Sequence, residues 1–313
     1  MSLPRFVHYR IVLPVGAVSA GLALVAQGGR FNAHLDILTH FAPIYLAGGT
    51  LVLVAALFIH QRLAPALLGA AAVTLSLILM APEFLHPKSA PAPVGAPGQI
   101  KLIQFNAAQD SHGLEERLAW LAREDPDVLV VEDSRPVFQT AIAKGMGRHM
   151  SCGMTCEVAI FTRAAPVRIE SPRRGRYGMG PAIAIVHLAG AGGEYTVIGT
   201  HYDWPTNVEY QYYNGLRLLE LLKRQDTTRT ILAGDFNSTP WSFVRRREEA
   251  KYGMERRTRA LPTWPADGRF GLAFLPIDHV YAGSGWRTVS ITRGPPIGSD
   301  HYPLVAIFAP RTH

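Results

Sequence analysis

Three stretches without a single Asp, Glu, Lys or Arg follow one another in the first 80 residues: Ile11 to Ala26, Phe41 to Ile59 and Leu63 to Met80. A chain segment of this kind belongs in lipid or in a large core. At about 1.5 Å per residue the second run reaches roughly 28 Å as a helix, close to the ~30 Å hydrocarbon thickness of a bilayer. Arg5 and Arg10 precede the first run, so a cleaved signal peptide is the alternative there. Two further runs behind it argue for a three-span membrane region instead. Arg5, Arg10 and Arg62 flank one side of such a region, and Arg30 and Lys88 the other. The Lys/Arg bias then puts the N-terminus inside and everything after Met80 outside. The expectation is a multi-pass protein of the cytoplasmic (inner) membrane with an extracytoplasmic domain. The lipid bilayer is its partner, and no protein partner is expected.

Residues 86–98 are rich in Pro, Ala and Gly, and a chain of that composition stays extended and builds no core. The expected organisation is a transmembrane anchor over 1–81, a Pro/Ala-rich linker over 82–98 and a soluble domain over 99–313. The formal charge of +7 divides unevenly. From Gly98 onward only +4 remains, spread over 216 residues. That is a weak signal for a polyanionic partner. Two cysteines exclude a disulfide scaffold and a four-ligand structural zinc site.

Past Ile100 the pattern changes to short β-rich runs: Ile100 to Phe105, Asp127 to Val131, Val158 to Thr162, Ala182 to Leu188, Tyr195 to Thr200, Thr230 to Ala233, Ile277 to Tyr281 and Pro303 to Phe308. Each is four to seven residues of Val, Ile and aromatics, as half-buried strands require. Leu114, Leu118 and Leu121 share one helical face, and so do Leu218, Leu221 and Leu222. The chemistry sits where the apolar runs end, at Asn106, Glu132, His201, Gly234-Asp235-Phe236-Asn237, Asp278 and Ser299-Asp300-His301. Hard oxygen donors with two histidines form the inventory of a magnesium site for phosphoryl transfer.

The ordered set resembles the endonuclease/exonuclease/phosphatase superfamily, which shares the pancreatic deoxyribonuclease fold. Gly234-Asp235-Phe236-Asn237 and Gly298-Ser299-Asp300-His301-Tyr302-Pro303 match its two most diagnostic motifs, over roughly Ile100 to Pro310. The resemblance implies an α/β four-layer αββα sandwich, two face-to-face mixed β-sheets flanked by helices, preceded here by the transmembrane helical region. It implies Mg²⁺, with Mn²⁺ as the alternative, held by Glu132, Asn106 and Asp300. Asp235 would hold and deprotonate the attacking water, and Asn237 would donate to a non-bridging oxygen. His301 would contact the phosphate, with Asp278 fixing its tautomer, and His201 would bind phosphate or protonate the leaving group.

The expected function is a membrane-anchored, divalent-metal-dependent phosphohydrolase of phosphodiesterase type. Its substrate would be a lipid-linked phosphate or a phospholipid; an extracytoplasmic endo/exonuclease acting on nucleic acid is the alternative. A catalytically silent membrane adaptor is a third reading, which loss of a metal-site carboxylate would favour. His279 follows Asp278 and points to the opposite strand face. Arg245, Arg246 and Arg247 read as a solvated face or a contact for anionic headgroups. Cys152 and Cys156 either close a small disulfide in an oxidising exterior or remain two buried thiols. Tyr202, Trp204, Tyr210, Tyr212, Tyr213 and Trp241 crowd the presumed active-site side, where aromatic faces suit bases or a lipid interface.

Overall fold

The computed structural model describes residues 5–108, 113–175, 178–267 and 272–311. Its contacts divide the chain into two units, one comprising Met1–His86 with Thr239–Arg247 and the other Pro87–Ser238 with Glu248–His313.

In the first unit the helices are α1 (Arg5–Ala26), the single turn α2 (Ala33–Asp36), α3 (Ala42–Ala56) and α4 (Leu63–Leu85). The candidate membrane spans are Arg10–Arg30, Ala33–Ala56 and Leu63–Leu85, each long and apolar enough to cross a bilayer. The second candidate span therefore starts at Ala33 rather than Phe41, and takes in Asp36 and His40. These helices pack through small residues that let their backbones approach. A Cβ on Gly49 of α3 would lie 2.8 Å from Ala72 Cβ, and one on Gly69 of α4 would lie 2.9 Å from Gly49 O. These glycines are the contact.

The second unit has two six-stranded mixed sheets. The first runs β11-β12-β1-β2-β4-β3 and the second β5-β6-β7-β8-β10-β9. The strands are β1 (Ile100–Asn106), β2 (Val128–Glu132), β3 (His149–Cys152), β4 (Val158–Thr162), β5 (Arg168–Glu170), β6 (Ala182–Gly190), β7 (Gly193–His201), β8 (Thr230–Asp235), β9 (Glu255–Arg256), β10 (Asp278–Ala282), β11 (Trp286–Arg293) and β12 (Leu304–Pro310). Alternate residues of the central strands face the other sheet. Leu102, Val128, Val130 and Ile160 of the first sheet meet Ala184, Val186, Val197, Ile231 and Val280 of the second in one buried cluster.

Helices α5 (Leu114–Glu124) and α6 (Pro136–Gly145) cover the outer face of the first sheet, over Phe105, Val131 and Phe161. Helix α7 (Val208–Leu222) covers the second, over Ile185, Ile198 and Leu232. The result is the four-layer αββα sandwich. The short helix α8 (Phe243–Glu249) follows β8.

Several expectations need correction. Strands β3, β5, β9 and β11 were not among the apolar runs; edge positions tolerate Arg168, Glu170, Arg287 and Arg293, which disguise them. On α5 the inward face presents Arg117, Trp120 and Leu121, while Leu114 is exposed. Residues 87–98 are no free spacer, because Ala92 N donates to Thr288 O (2.8 Å), Arg259 donates to Pro87 O (2.9 Å), and Ser89 bonds Glu255. Arg245 is buried rather than solvated, and Tyr202 and Trp241 are buried while Trp204, Tyr210 and Tyr212 are exposed. Of the two readings for Cys152 and Cys156, the disulfide is the one found.

Candidate active site

Register places the chemistry. β1 and β2 are parallel, so their polar ends coincide, with Asn106 paired to Glu132. In the other sheet β7 and β8 are parallel with His201 opposite Asp235, and antiparallel β10 sets Asp278 opposite Asp235. β12 runs against β1 with Leu304 opposite Gln104, which brings the preceding turn with His301 to the same end. Six chain segments therefore converge. Gly234 permits the β7–β8 approach: a Cβ there would stand 1.8 Å from Thr200 O.

Bonds across the two sheets fix the side chains. Gln104 Nε2 donates to Glu132 Oε2 (3.0 Å) and to Asp278 Oδ1 (2.8 Å). Asn106 Nδ2 donates to Asp235 Oδ2 (2.9 Å), while its Oδ1 accepts from Ala108 N (2.9 Å). Asn237 adopts a left-handed backbone (φ 48°), which Asn tolerates. From there its N–H donates to Asp235 Oδ1 (2.7 Å) and its Nδ2 donates to Tyr202 O (2.8 Å). His301 Nδ1 is 2.8 Å from Asp278 Oδ2. Its Nε2 lies 3.8 Å from Asp235 Oδ2 and 3.9 Å from Asp300 Oδ1. His201 Nε2 lies 3.7 Å from Asp235 Oδ2 and its Nδ1 3.3 Å from Glu157 Oε1. Asp300 Oδ2 accepts from Trp264 Nε1 (2.9 Å).

Burial and crowding of charge set the protonation states. Asp235 is pushed up to about 6, first by burial and then by the neighbouring Asp278 carboxylate, against the pull of His301 and His201. Burial alone would lower His301, but Asp278 and Asp235 overcome it and raise the imidazole to about 10. Burial likewise works against His201, and Glu157 and Asp235 raise it above its ordinary value. Glu132 is driven well above the carboxylate range by burial and by Asp278. An isolated buried carboxylate is costly unless something positive meets it.

The donor set fits a divalent cation. Asp235, Asp278 and His301 each offer an atom within 4.8 Å of the others. Yet both oxygens of Asp235 and of Asp278 already accept hydrogen bonds. Glu132 Oε1 and Asp300 Oδ1 are different, since both atoms are buried and have no hydrogen-bond partner among the described residues. Hard oxygens left without donors are what magnesium-like ions take. Asn106 Oδ1 keeps one lone pair beyond its bond to Ala108.

Of the eight side chains expected in the site, Asn106, His201, Asp235, Asn237, Asp278 and His301 are linked directly or through Asp235. Glu132 joins them through Gln104, and Asp300 through its approach to His301. Sequence reasoning missed three supports. Gln104 is a polar residue inside an apolar strand, two positions before Asn106 on the same face, and that alternation was readable. Glu157 immediately precedes β4, where a lone carboxylate carries no signal of its own. Arg117, fully buried on α5, donates to Ala107 O (3.0 Å), Ile297 O (2.9 Å) and Gly298 O, tying the turn before His301 to the end of β1. Nothing in an amphipathic helix distinguishes such an arginine from a solvated one. His279 turns away from the cluster, and its Nε2 bonds Ser238 O (2.7 Å) beneath the Asp235–Ser238 turn.

The family model described as the Endonuclease/Exonuclease/phosphatase family matches residues 101–301. Among solved structures, the chain is similar to the endonuclease/exonuclease/phosphatase from Bacteroides vulgatus, at 15% identity and a TM-score of 0.59, covering 68% of this chain and 99% of that one. It is also similar to a mannosyl-6-phosphatase from Bacteroides thetaiotaomicron, at 13% identity and a TM-score of 0.56, covering 67% and 99%. A third likeness is to TDP2 from D. rerio complexed with single strand DNA product, at 16% identity and a TM-score of 0.52, covering 67% and 99%. Identities this low speak for the fold alone. No curated protein matches the chain.

Proposed function

Because the chain belongs to the endonuclease/exonuclease/phosphatase family, whose members are divalent-metal-dependent enzymes that hydrolyse phosphoester bonds, we propose that it is a magnesium-dependent phosphodiesterase anchored in the cytoplasmic membrane, with its catalytic unit outside. Its substrate in this reading is a lipid-linked phosphate or phospholipid headgroup. The observation that supports it is the presence, in one chain, of three candidate membrane spans and a buried constellation of Glu132, Asp235, Asp278 and His301. The chain keeps all four carboxylates that the family resemblance implies, Glu132, Asp235, Asp278 and Asp300, which supports this reading over a silent adaptor.

Asp235 is raised only to about 6, so at neutral pH it is mostly ionised and can take the proton of a water placed in line with the leaving oxygen. His301, raised to about 10, is then an imidazolium whose Nε2 faces the phosphate while Asp278 holds Nδ1. A fixed cation there opposes the charge that develops on the non-bridging oxygens. His201, raised by Glu157, is the proton donor for the leaving oxygen. Asn237 has one Nδ2 proton engaged by Tyr202 O, which aims the other N–H of the amide. Glu132 and Asp300 would hold the cation through their unpartnered oxygens, with Asn106 beside them. When bound, Mg²⁺ supplies neutralisation of the phosphate charge.

Exposed Trp204, with its ring centroid 6.1 Å from that of Trp264, supports nuclease action as the second reading, since such a face stacks bases. The test uses the full-length chain in detergent micelles with phospholipid, lipid-diphosphate and single-stranded DNA substrates, in Mg²⁺, Mn²⁺ or chelator. Turnover of a lipid phosphate that vanishes in chelator and in Asp235→Asn is the expected result. Turnover of DNA alone assigns the nuclease.

A further inference from the structure

Asp36 and His40 lie between the first two apolar runs, are buried, and have no part in the hydrolysis described above. A buried carboxylate needs several donors to be tolerated. In the first unit Asp36 finds them on Thr239–Arg247. Its Oδ2 accepts from Ser242 Oγ (2.7 Å) and Val244 N (2.9 Å), and its Oδ1 accepts from Phe243 N (2.8 Å). Thr39 Oγ1 adds a contact to Oδ1 (3.3 Å). His40 Nδ1 accepts from Thr239 N (3.2 Å) and lies 2.9 Å from Thr239 Oγ1. Three backbone amides, at 239, 243 and 244, are thus satisfied by two side chains more than 190 residues earlier.

The neighbours reinforce this attachment. Arg30 and Arg246 both lie over the Phe243 ring, 5.6 and 4.6 Å from its centroid, and Arg247 donates to Arg30 O (3.2 Å). A Cβ on Gly29 would come within 2.7 Å of Asp36 Cα, so the turn admits nothing larger. Arg246 and Arg247, expected as a solvated face or a contact for anionic headgroups, take part in this packing instead.

The attached segment starts two residues after Asn237. Two residues of extended chain span at most about 7 Å. The turn bearing Asp235 and Asn237 is therefore held by β8 at one end and, through Ser238 and Thr239, by Asp36 and His40 at the other. We infer that Asp36 and His40 are positioning residues for the catalytic turn, so that the membrane helices are a working part of the enzyme and not a passive anchor. This inference rests on the hydrolase reading above.

The experiment uses the full-length chain in detergent micelles with Mg²⁺ and bis(p-nitrophenyl) phosphate as probe, comparing wild type with Asp36→Ala, His40→Phe and His40→Asn. Amide hydrogen exchange is followed at residues 236–244. A displacement of about 1 Å at a reacting group lowers rates about 10²-fold. Asp36→Ala and His40→Phe are expected to lower kcat by about that factor with KM within about threefold, since the lost interaction acts in the transition state. Thr239, Phe243 and Val244 amides then exchange faster. His40→Asn, which restores an acceptor near the Nδ1 position, keeps kcat within about fivefold of wild type. An active wild type with kcat unchanged in His40→Phe, despite faster exchange at Thr239, overturns the inference. If Asp36→Ala does not fold, the two His40 variants decide the matter. An inactive wild type overturns the hydrolase reading itself, and the inference with it.

Discussion

Replacing Asp278 by Asn keeps the shape of the residue and removes the charge nearest His301. His301 stands at about 10 against an ordinary value of 6.5, a difference of about 3.5 units or roughly 5 kcal/mol in favour of the imidazolium. Burial opposes that charge, so the carboxylates supply all of it and more. Asp278 contributes from 2.8 Å, while Asp235 and Asp300 remain at 3.8 and 3.9 Å. Loss of one adjacent carboxylate lowers a cation's pKa by about 2 to 3 units, which puts His301 at about 7 to 8 in the variant. At pH 9, wild-type His301 is then about nine-tenths protonated and the variant about one-tenth or less. The direct assay is NMR titration of the His301 imidazole in selectively labelled protein kept in chelator. The kinetic counterpart is a kcat deficit that widens from pH 6 to pH 9, reaching about 10- to 10²-fold. A wild-type His301 that titrates near 6.5, or one whose pKa does not move in Asp278→Asn, refutes the electrostatic assignment.

Other consequences follow from the same geometry. A folded-state pKa raised from 6.5 to about 10 gives His301 a stabilising contribution that is complete below pH 6.5 and lost as pH rises through 10. The chelated protein should therefore melt at progressively lower temperature from pH 6.5 to pH 10, and His301→Gln should flatten that slope; an equal slope in both proteins contradicts it. Gly234→Ala forces a methyl to within 1.8 Å of Thr200 O and should cost about 3 kcal/mol or more, read as a lower denaturant midpoint. An unmoved midpoint means that β7 and β8 are not joined as described. Glu157→Gln removes the group that raises His201, so the alkaline limb of the pH–rate profile should shift to lower pH; a stationary limb excludes His201 as the proton donor.

The central strands were legible because each is an apolar run that ends abruptly in a polar residue, and the parallel pairing of β1 with β2 and of β7 with β8 stacks those ends together. Val158–Thr162 is found with the boundaries its composition suggests. The edge strands were not legible, since a strand with one open side needs no alternation and its charges guard against pairing with other chains. Glu132 and Asp300 could be named from their motifs, but that each keeps an unpartnered buried oxygen depends on which donors surround it. Only the fold supplies that. Asp36 shows the limit most clearly. Between two apolar runs it reads as a loop carboxylate, and its partners Ser242, Phe243 and Val244 lie over 200 residues away with no motif linking them. Long-range side-chain to backbone bonds leave no periodicity to detect.

The central claim is that Glu132 and its neighbours hold a divalent cation where Asp235 directs water at phosphorus. Its most direct measurement follows Mn²⁺ binding by the chelator-stripped full-length chain through electron paramagnetic resonance, together with hydrolysis of bis(p-nitrophenyl) phosphate. The account predicts a bound ion in wild type and in Asp235→Asn, loss of that ion in Glu132→Gln, and hydrolysis in wild type alone. An ion retained in Glu132→Gln, or hydrolysis that survives in Asp235→Asn, would contradict it.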